Sequence, residues 1–210
     1  MSYQAFTPAD AAIVLVDHQP GVIAMVQSVP VRHLTANAGT LAKLAHDLGM
    51  PHVVTTTRET MARLGSTIDA IQQAAPDAYA ARIRRQGTLN PFADPDFVAA
   101  IEATGRRDLV IAGVLTDVCL SHAVFSALDA GYRVQVVADA SGTTSALADE
   151  VTYTRLKDAG AVITSTWGIL FELFPDLGSP EGQKAEAAAG NSIVMDLATV
   201  GAMVGSKVFA

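Results

Sequence analysis

Cysteine is all but missing from this chain: of 210 residues, only Cys119 carries a thiol. One thiol excludes an intrachain disulfide framework and a thiolate-rich zinc cluster, so a reducing, cytoplasmic setting is expected. Basic residues are scarce as well, 14 Lys and Arg against 21 Asp and Glu, for a formal net charge of −7. No basic run exceeds the pairs Arg84-Arg85 and Arg106-Arg107. That excludes partners held by basic patches, namely nucleic acid and anionic membrane surfaces. No uninterrupted apolar stretch reaches the length of a membrane span, and the opening residues lack the charged and apolar regions of a secretion signal. The histidines, His18, His33, His46, His52 and His122, show no ligand spacing such as His-x-x-x-His. No catalytic metal and no cofactor is therefore expected. Phosphate-binding loops and a serine nucleophile elbow are absent too.

What is present is apolar character in half of the residues, arranged as short β-branched runs between longer amphipathic segments. Residues 11–16 read as a buried strand ending at Asp17. Leu34, Ala38, Leu41, Leu44 and Leu48 recur at helical spacing before Gly49. Residues 52–56, 109–114, 134–138 and 161–165 read as further strands, and 117–130 and 150–159 as helices. Asp94-Pro95 reads as an N-cap with a first-turn proline, opening a helix towards Thr104. Strands apolar throughout and separated by helices imply a parallel sheet covered on both faces. The expected architecture is a three-layer α/β/α sandwich with a mostly parallel six-stranded sheet in the order 3-2-1-4-5-6.

In such a sheet the ligand crevice lies beyond the carboxyl ends of the strands, where the strand order reverses. Asp17 ends the first strand and Cys119 follows the fourth, so residues a hundred positions apart are expected to meet. A thiol in the first turn of a helix faces unpaired N–H groups and the positive end of the dipole, which favours thiolate. Asp17 is then the candidate general base. His18 is its rival, but alternation along an extended chain sends the two side chains opposite ways.

The blocks Val16-Asp17-His18-Gln19, Gly113-Val114-Leu115-Thr116-Asp117-Val118-Cys119 and Gly131 to Gly142 resemble the isochorismatase-like cysteine hydrolases, a family that includes nicotinamidases. The similarity runs from about Asp10 to Phe174 and is greatest towards the YcaC-type branch, through Arg85-Gln86-Gly87-Thr88-Leu89-Asn90-Pro91-Phe92 and Asp139-Ala140-Ser141-Gly142. The resemblance implies a catalytic triad of aspartate, lysine and cysteine. Aspartate falls on Asp17 and cysteine on Cys119, but the lysine position falls on Arg85, which cannot shuttle a proton. Arg82 and Arg84 compete for the same role. The resemblance further implies a cis peptide at Val114-Leu115 and an oxyanion hole made by the backbone amides of Leu115 and Cys119. The family's metal-binding histidines have no counterpart in Thr55-Thr56-Thr57-Arg58-Glu59.

The function expected is cysteine-dependent hydrolysis of a small amide through an acyl-thioester. Gln19, Asn90, Phe92, Thr116 and Trp167 are the candidate substrate contacts. The alternatives are a catalytically weak oligomeric binding or thiol-sensing protein of the same fold, and an ether-cleaving isochorismatase-type hydrolase. Residues 1–177 are expected to form the domain. The tail, 178–210, is expected to pack at a subunit interface of a homo-oligomer, because an apolar terminal segment beyond a complete sheet needs cover.

Overall fold

The computed structural model describes residues 4–190. β1 (Ala11–Val16) is followed by the short helix α1 (Pro20–Ile23) and the long helix α2 (Val31–Asp47). β2 (His52–Thr57) leads through α3 (Asp69–Ala74) and α4 (Pro76–Ala80) to β3 (Ile83–Arg85). α5 (Pro95–Ala103) precedes β4 (Asp108–Gly113), and α6 (Ser121–Asp129) precedes β5 (Arg133–Val137). α7 (Ala146–Asp158), β6 (Val162–Thr164), α8 (Thr166–Leu173) and α9 (Pro180–Ala189) complete the described chain. The six strands form one all-parallel sheet in the order 3-2-1-4-5-6.

β1 is buried on both faces, and its pleat divides the core in two. Ala11, Ile13 and Leu15 pack with α2, α3, α8 and α9, whereas Ala12, Val14 and Val16 pack with α5, α6 and Leu156 of α7. Each large side chain buried this way contributes about 1.5–3 kcal/mol. This double burial is why the strand reads as a continuous apolar run.

β1 and β4 lie side by side along their whole length, and their last residues, Val16 and Gly113, are register partners. Glycine is required there by close approach. A Cβ on Gly113 would stand 2.8 Å from Cβ of Val16 and 3.0 Å from its carbonyl oxygen. Gly113→Ala is expected to cost about 1–3 kcal/mol through overpacking. The check is a lower urea midpoint with an unchanged slope.

Several elements depart from the sequence reading. β3 escapes it altogether, because three residues with two arginines carry no apolar signal. The segment after β4 does not enter a helix at residue 117; Thr116–Leu120 first makes a wide turn in which Leu120 N–H donates to the Leu115 carbonyl, and α6 begins at Ser121. α7 starts at Ala146 rather than 150, capped by Ser145, whose hydroxyl accepts from the Ala148 N–H at 3.2 Å. Its exposed Leu147 and Val151 hide the amphipathic pattern. The N-cap read at Asp94 is present, accepting from the Asp96 N–H at 3.0 Å. α9, capped by Ser179, falls within the segment assigned to the tail, yet it buries Ala185, Ala188 and Ala189 in the chain's own core. Residues 191–210, the rest of that segment, lie outside the described residues.

Candidate active site

The ends of β1, β3 and β4 deliver three polar side chains to one point. Asp17 follows β1 directly, and its backbone turns into the left-handed region at φ 57°. The chain therefore leaves the strand abruptly, held by Asp17 N–H donating to the Thr55 carbonyl at 2.9 Å. Asp17 has no exposed surface, and Arg85 is almost as completely buried. Arg85 ends β3, paired in register with Thr57. Its Nε donates to Thr55 Oγ1 at 3.0 Å, Nη1 to the Thr88 carbonyl and Nη2 to Asp17 Oδ2. The planar fork of the guanidinium uses its directions to fix the carboxylate and the loop after β3 together. Asp17 Oδ1 has no hydrogen-bond partner. The Cys119 thiol is close enough for it and this carboxyl to shift one another's proton affinity, and Arg85 acts on the sulfur as well.

Cys119 sits in the wide turn after β4, in front of α6. The Val114-Leu115 peptide is cis. The Leu115 N–H has no backbone acceptor among the described residues, while the neighbouring Thr116 N–H is engaged by the Gly142 carbonyl. Cys119 opens onto a cavity of about 110 Å³ walled by Val22, Met25, Leu64, Leu89, Leu115 and Val118, with Thr57 and Arg58 as its other polar residues.

The electrostatics correct one expectation from the sequence. Helix-terminus reasoning favours a thiolate, but burial, joined by the Asp17 charge and opposed by the pull of Arg85, leaves the Cys119 thiol pushed up to about 12. Burial likewise raises the Asp17 carboxyl, with the Arg85 charge and hydrogen bond pulling it back down. The resting site therefore holds a protonated thiol beside a carboxyl that burial makes readier to take a proton.

Residues 11–167 match the isochorismatase domain family. The chain belongs to that family. It is 36% identical over 167 residues to the probable hydrolase YcaC of Escherichia coli (strain K12), spanning 80% of this chain and 79% of the relative. Two solved structures superpose with TM-scores of 0.87. One is YcaC from Pseudomonas aeruginosa with hexane-2,5-diol and covalent acrylamide, 30% identical and covering 97% of this chain and 98% of that one. The other is the Escherichia coli YcaC gene product, described as an octameric hydrolase of unknown specificity, 31% identical over 100% of both chains. The fold and the relatives place this isochorismatase-family chain among YcaC-type hydrolases. Among the described residues, no helix is long and apolar enough to cross a membrane.

Within this isochorismatase site, the structure separates the three candidate arginines. Arg82 and Arg84 both pair with Glu59, at 2.9 and 3.1 Å, and only Arg85 meets Asp17. None of the five side chains expected to contact substrate lines the cavity. Gln19 has both ends of its amide occupied: Oε1 accepts from Thr57 N–H, and Nε2 donates to the Thr57 and Gly65 carbonyls. Asn90 caps the Phe92 N–H and donates to Ser126 Oγ. Phe92 packs edge-on against Phe97, Trp167 packs edge-on against Phe171, and Thr116 is buried. The apolar wall that does line the cavity had no signal, because pocket and core residues are chemically alike in sequence.

His18 is buried and engaged elsewhere: its Nε2 donates to the Ala140 carbonyl at 2.8 Å. Burial lowers its pKa from 6.5 to about 4, so it stays neutral. The unfolded chain binds this proton more tightly than the folded protein does. The contribution of His18 is therefore complete above pH 6.5 and is lost as pH falls towards 4. The loss amounts to about 3 kcal/mol. His18→Gln is expected to flatten the fall in urea stability between about pH 7 and pH 4.5 that linkage predicts for the wild type.

Proposed function

We propose that this protein hydrolyses the C–N bond of a small amide through a thioester on Cys119. The observation that carries the reading is the buried pair of Asp17 and Arg85 acting on the thiol of Cys119, which itself lines one small apolar cavity. Cys119 Sγ attacks the amide carbonyl carbon while Asp17 takes the thiol proton. The tetrahedral oxyanion is met by the backbone N–H groups of Leu115 and Cys119. The C–N bond then breaks, and the departing amine takes the proton from Asp17. Water attacks the thioester, Asp17 accepts a proton from it, and the acid leaves as that proton returns to sulfur. Arg85 stays charged throughout and holds Asp17 in place.

The cavity supports a compact substrate, since about 110 Å³ is well below the usual range for ligand sites. The covalent acrylamide of the Pseudomonas aeruginosa relative, an electrophile that alkylates nucleophilic side chains, supports a reactive nucleophile in this kind of site. The buried, protonated thiol argues against the thiol-sensing alternative, because sensor cysteines are acidic and accessible. The octameric relative supports a homo-oligomer here. The absence of basic runs supports neither a nucleic acid nor a membrane partner.

The test is mass spectrometry of the intact protein quenched during exposure to a panel of small amides. The expected result is one acyl group per chain, with the amine released, and no adduct on Cys119→Ala. Amide cleavage that persists in Cys119→Ala would overturn the proposal.

A further inference from the structure

The start of β2 lies at the opposite end of the sheet from the residues that follow it into the Cys119 cavity. There a second cleft, of about 520 Å³, opens beside the end of α2, α4 and the first residues of β2 and β3. Three side chains from separate elements converge on its wall: His46 from α2, His52 from β2 and Asp77 from α4. One ligand atom from each lies within 4.8 Å of the others. His46 Nδ1 is 2.9 Å from Asp77 Oδ1, and His52 Nε2 is 3.7 Å from the same oxygen.

His52 makes this more than a surface cluster. Its side chain is only 9% exposed. Its Nδ1 lies 2.9 Å from the Met50 carbonyl, which can only accept, so Nδ1 carries the hydrogen. In the neutral ring Nε2 then holds a lone pair, and this buried nitrogen has no hydrogen-bond partner. It faces a carboxylate oxygen, so two electron-rich atoms look at each other across a gap that a cation resolves. A ring pinned by a backbone carbonyl on one nitrogen and free on the other is how metal-bound imidazoles are held. The edge of a tetrahedron built on bonds of about 2.0–2.1 Å is roughly 3.3 Å. The separations of 2.9 and 3.7 Å bracket that value.

We propose that His46, His52 and Asp77 form a binding site for one divalent ion of the zinc class, with its fourth coordination position open to the cleft. Two imidazoles and one carboxylate suit zinc, whereas calcium and magnesium demand oxygen ligands. The site is remote from Cys119 and stands independently of the hydrolytic mechanism.

The test is equilibrium dialysis of the full chain against Zn²⁺ with metal analysis, and against Co²⁺ with visible spectroscopy. The expected result is one Zn²⁺ per chain. Affinity is expected to fall at least about tenfold in His52→Gln and in Asp77→Asn, and to be unchanged in Cys119→Ala. Co²⁺ is expected to give tetrahedral d–d bands without a thiolate charge-transfer band. His46→Gln and Asp77→Asn alter exposed side chains, so loss of binding in them is not loss of fold. No uptake would overturn the proposal. Uptake that survives His52→Gln, or that follows Cys119, would overturn it equally.

Discussion

Asp17→Asn is expected to lower amide turnover by about 10²- to 10⁴-fold while leaving KM little changed. The replacement is nearly isosteric and keeps an oxygen for Arg85 to bind, so the geometry around β1 survives. What disappears is a group able to take the thiol proton as the C–S bond forms. The thiol is pushed up to about 12, which makes that transfer decisive: little thiolate exists before the carboxyl accepts the proton. Steady-state kinetics with any amide the protein cleaves will read the effect directly.

Arg85→Met is expected to act on stability as well as on activity. It removes the hydrogen bonds to Thr55 and Thr88 and strands the Asp17 carboxylate in a buried site without its counter-charge. Breaking a buried pair in this way costs about 3–5 kcal/mol. For a chain of this size that is a fall in Tm of roughly 6–20 °C. The cost carries a pH signature. With the guanidinium gone, burial raises the Asp17 carboxyl unopposed, so the folded variant binds that proton more tightly than its unfolded chain does. Its stability contribution is then present below about pH 4, the unfolded value, and is lost as pH rises through the folded one. Thermal melts are expected to show the variant nearest to wild type in acid and furthest from it at neutral pH. Turnover is expected to fall as well, because the carboxyl that takes the thiol proton loses the side chain that fixes its position. Arg85→Lys, which returns one positive charge, is expected to recover part of both losses. It does not restore the fork that also binds Thr55 and Thr88.

The central layers of this fold were legible because parallel strands buried on both faces leave unbroken apolar runs, as 11–16 and 109–114 do. Strand order then placed Asp17 beside the segment bearing Cys119 without any further information. β3 was not legible: Ile83, Arg84 and Arg85 look like a polar loop, and only the family resemblance pointed at Arg85. The acidity of the thiol was read with the wrong sign. A helix-terminus argument sees the N–H groups ahead of Cys119, but it cannot see the depth of burial or the adjacent carboxyl charge, and those two dominate. Gln19 shows a similar limit, since a polar side chain next to a catalytic candidate looks available until its amide is found fully engaged with Thr57 and Gly65. His46, His52 and Asp77 are scattered in sequence and meet only because α2, β2 and α4 converge at the base of the sheet.

The most direct test of the thiol–carboxyl–guanidinium unit is the pH dependence of Cys119 alkylation by iodoacetamide, measured in the wild type and in Asp17→Asn. In the wild type, alkylation is expected to stay slow at neutral pH and to rise only towards pH 12. In Asp17→Asn the buried Arg85 charge lacks its carboxylate, and the thiolate takes over as its counter-ion. The alkylation curve should therefore shift to lower pH even as turnover falls. Superimposable curves with a midpoint near about 8.5, the value of free cysteine, would show that the three groups do not act on one another, and the account would be contradicted.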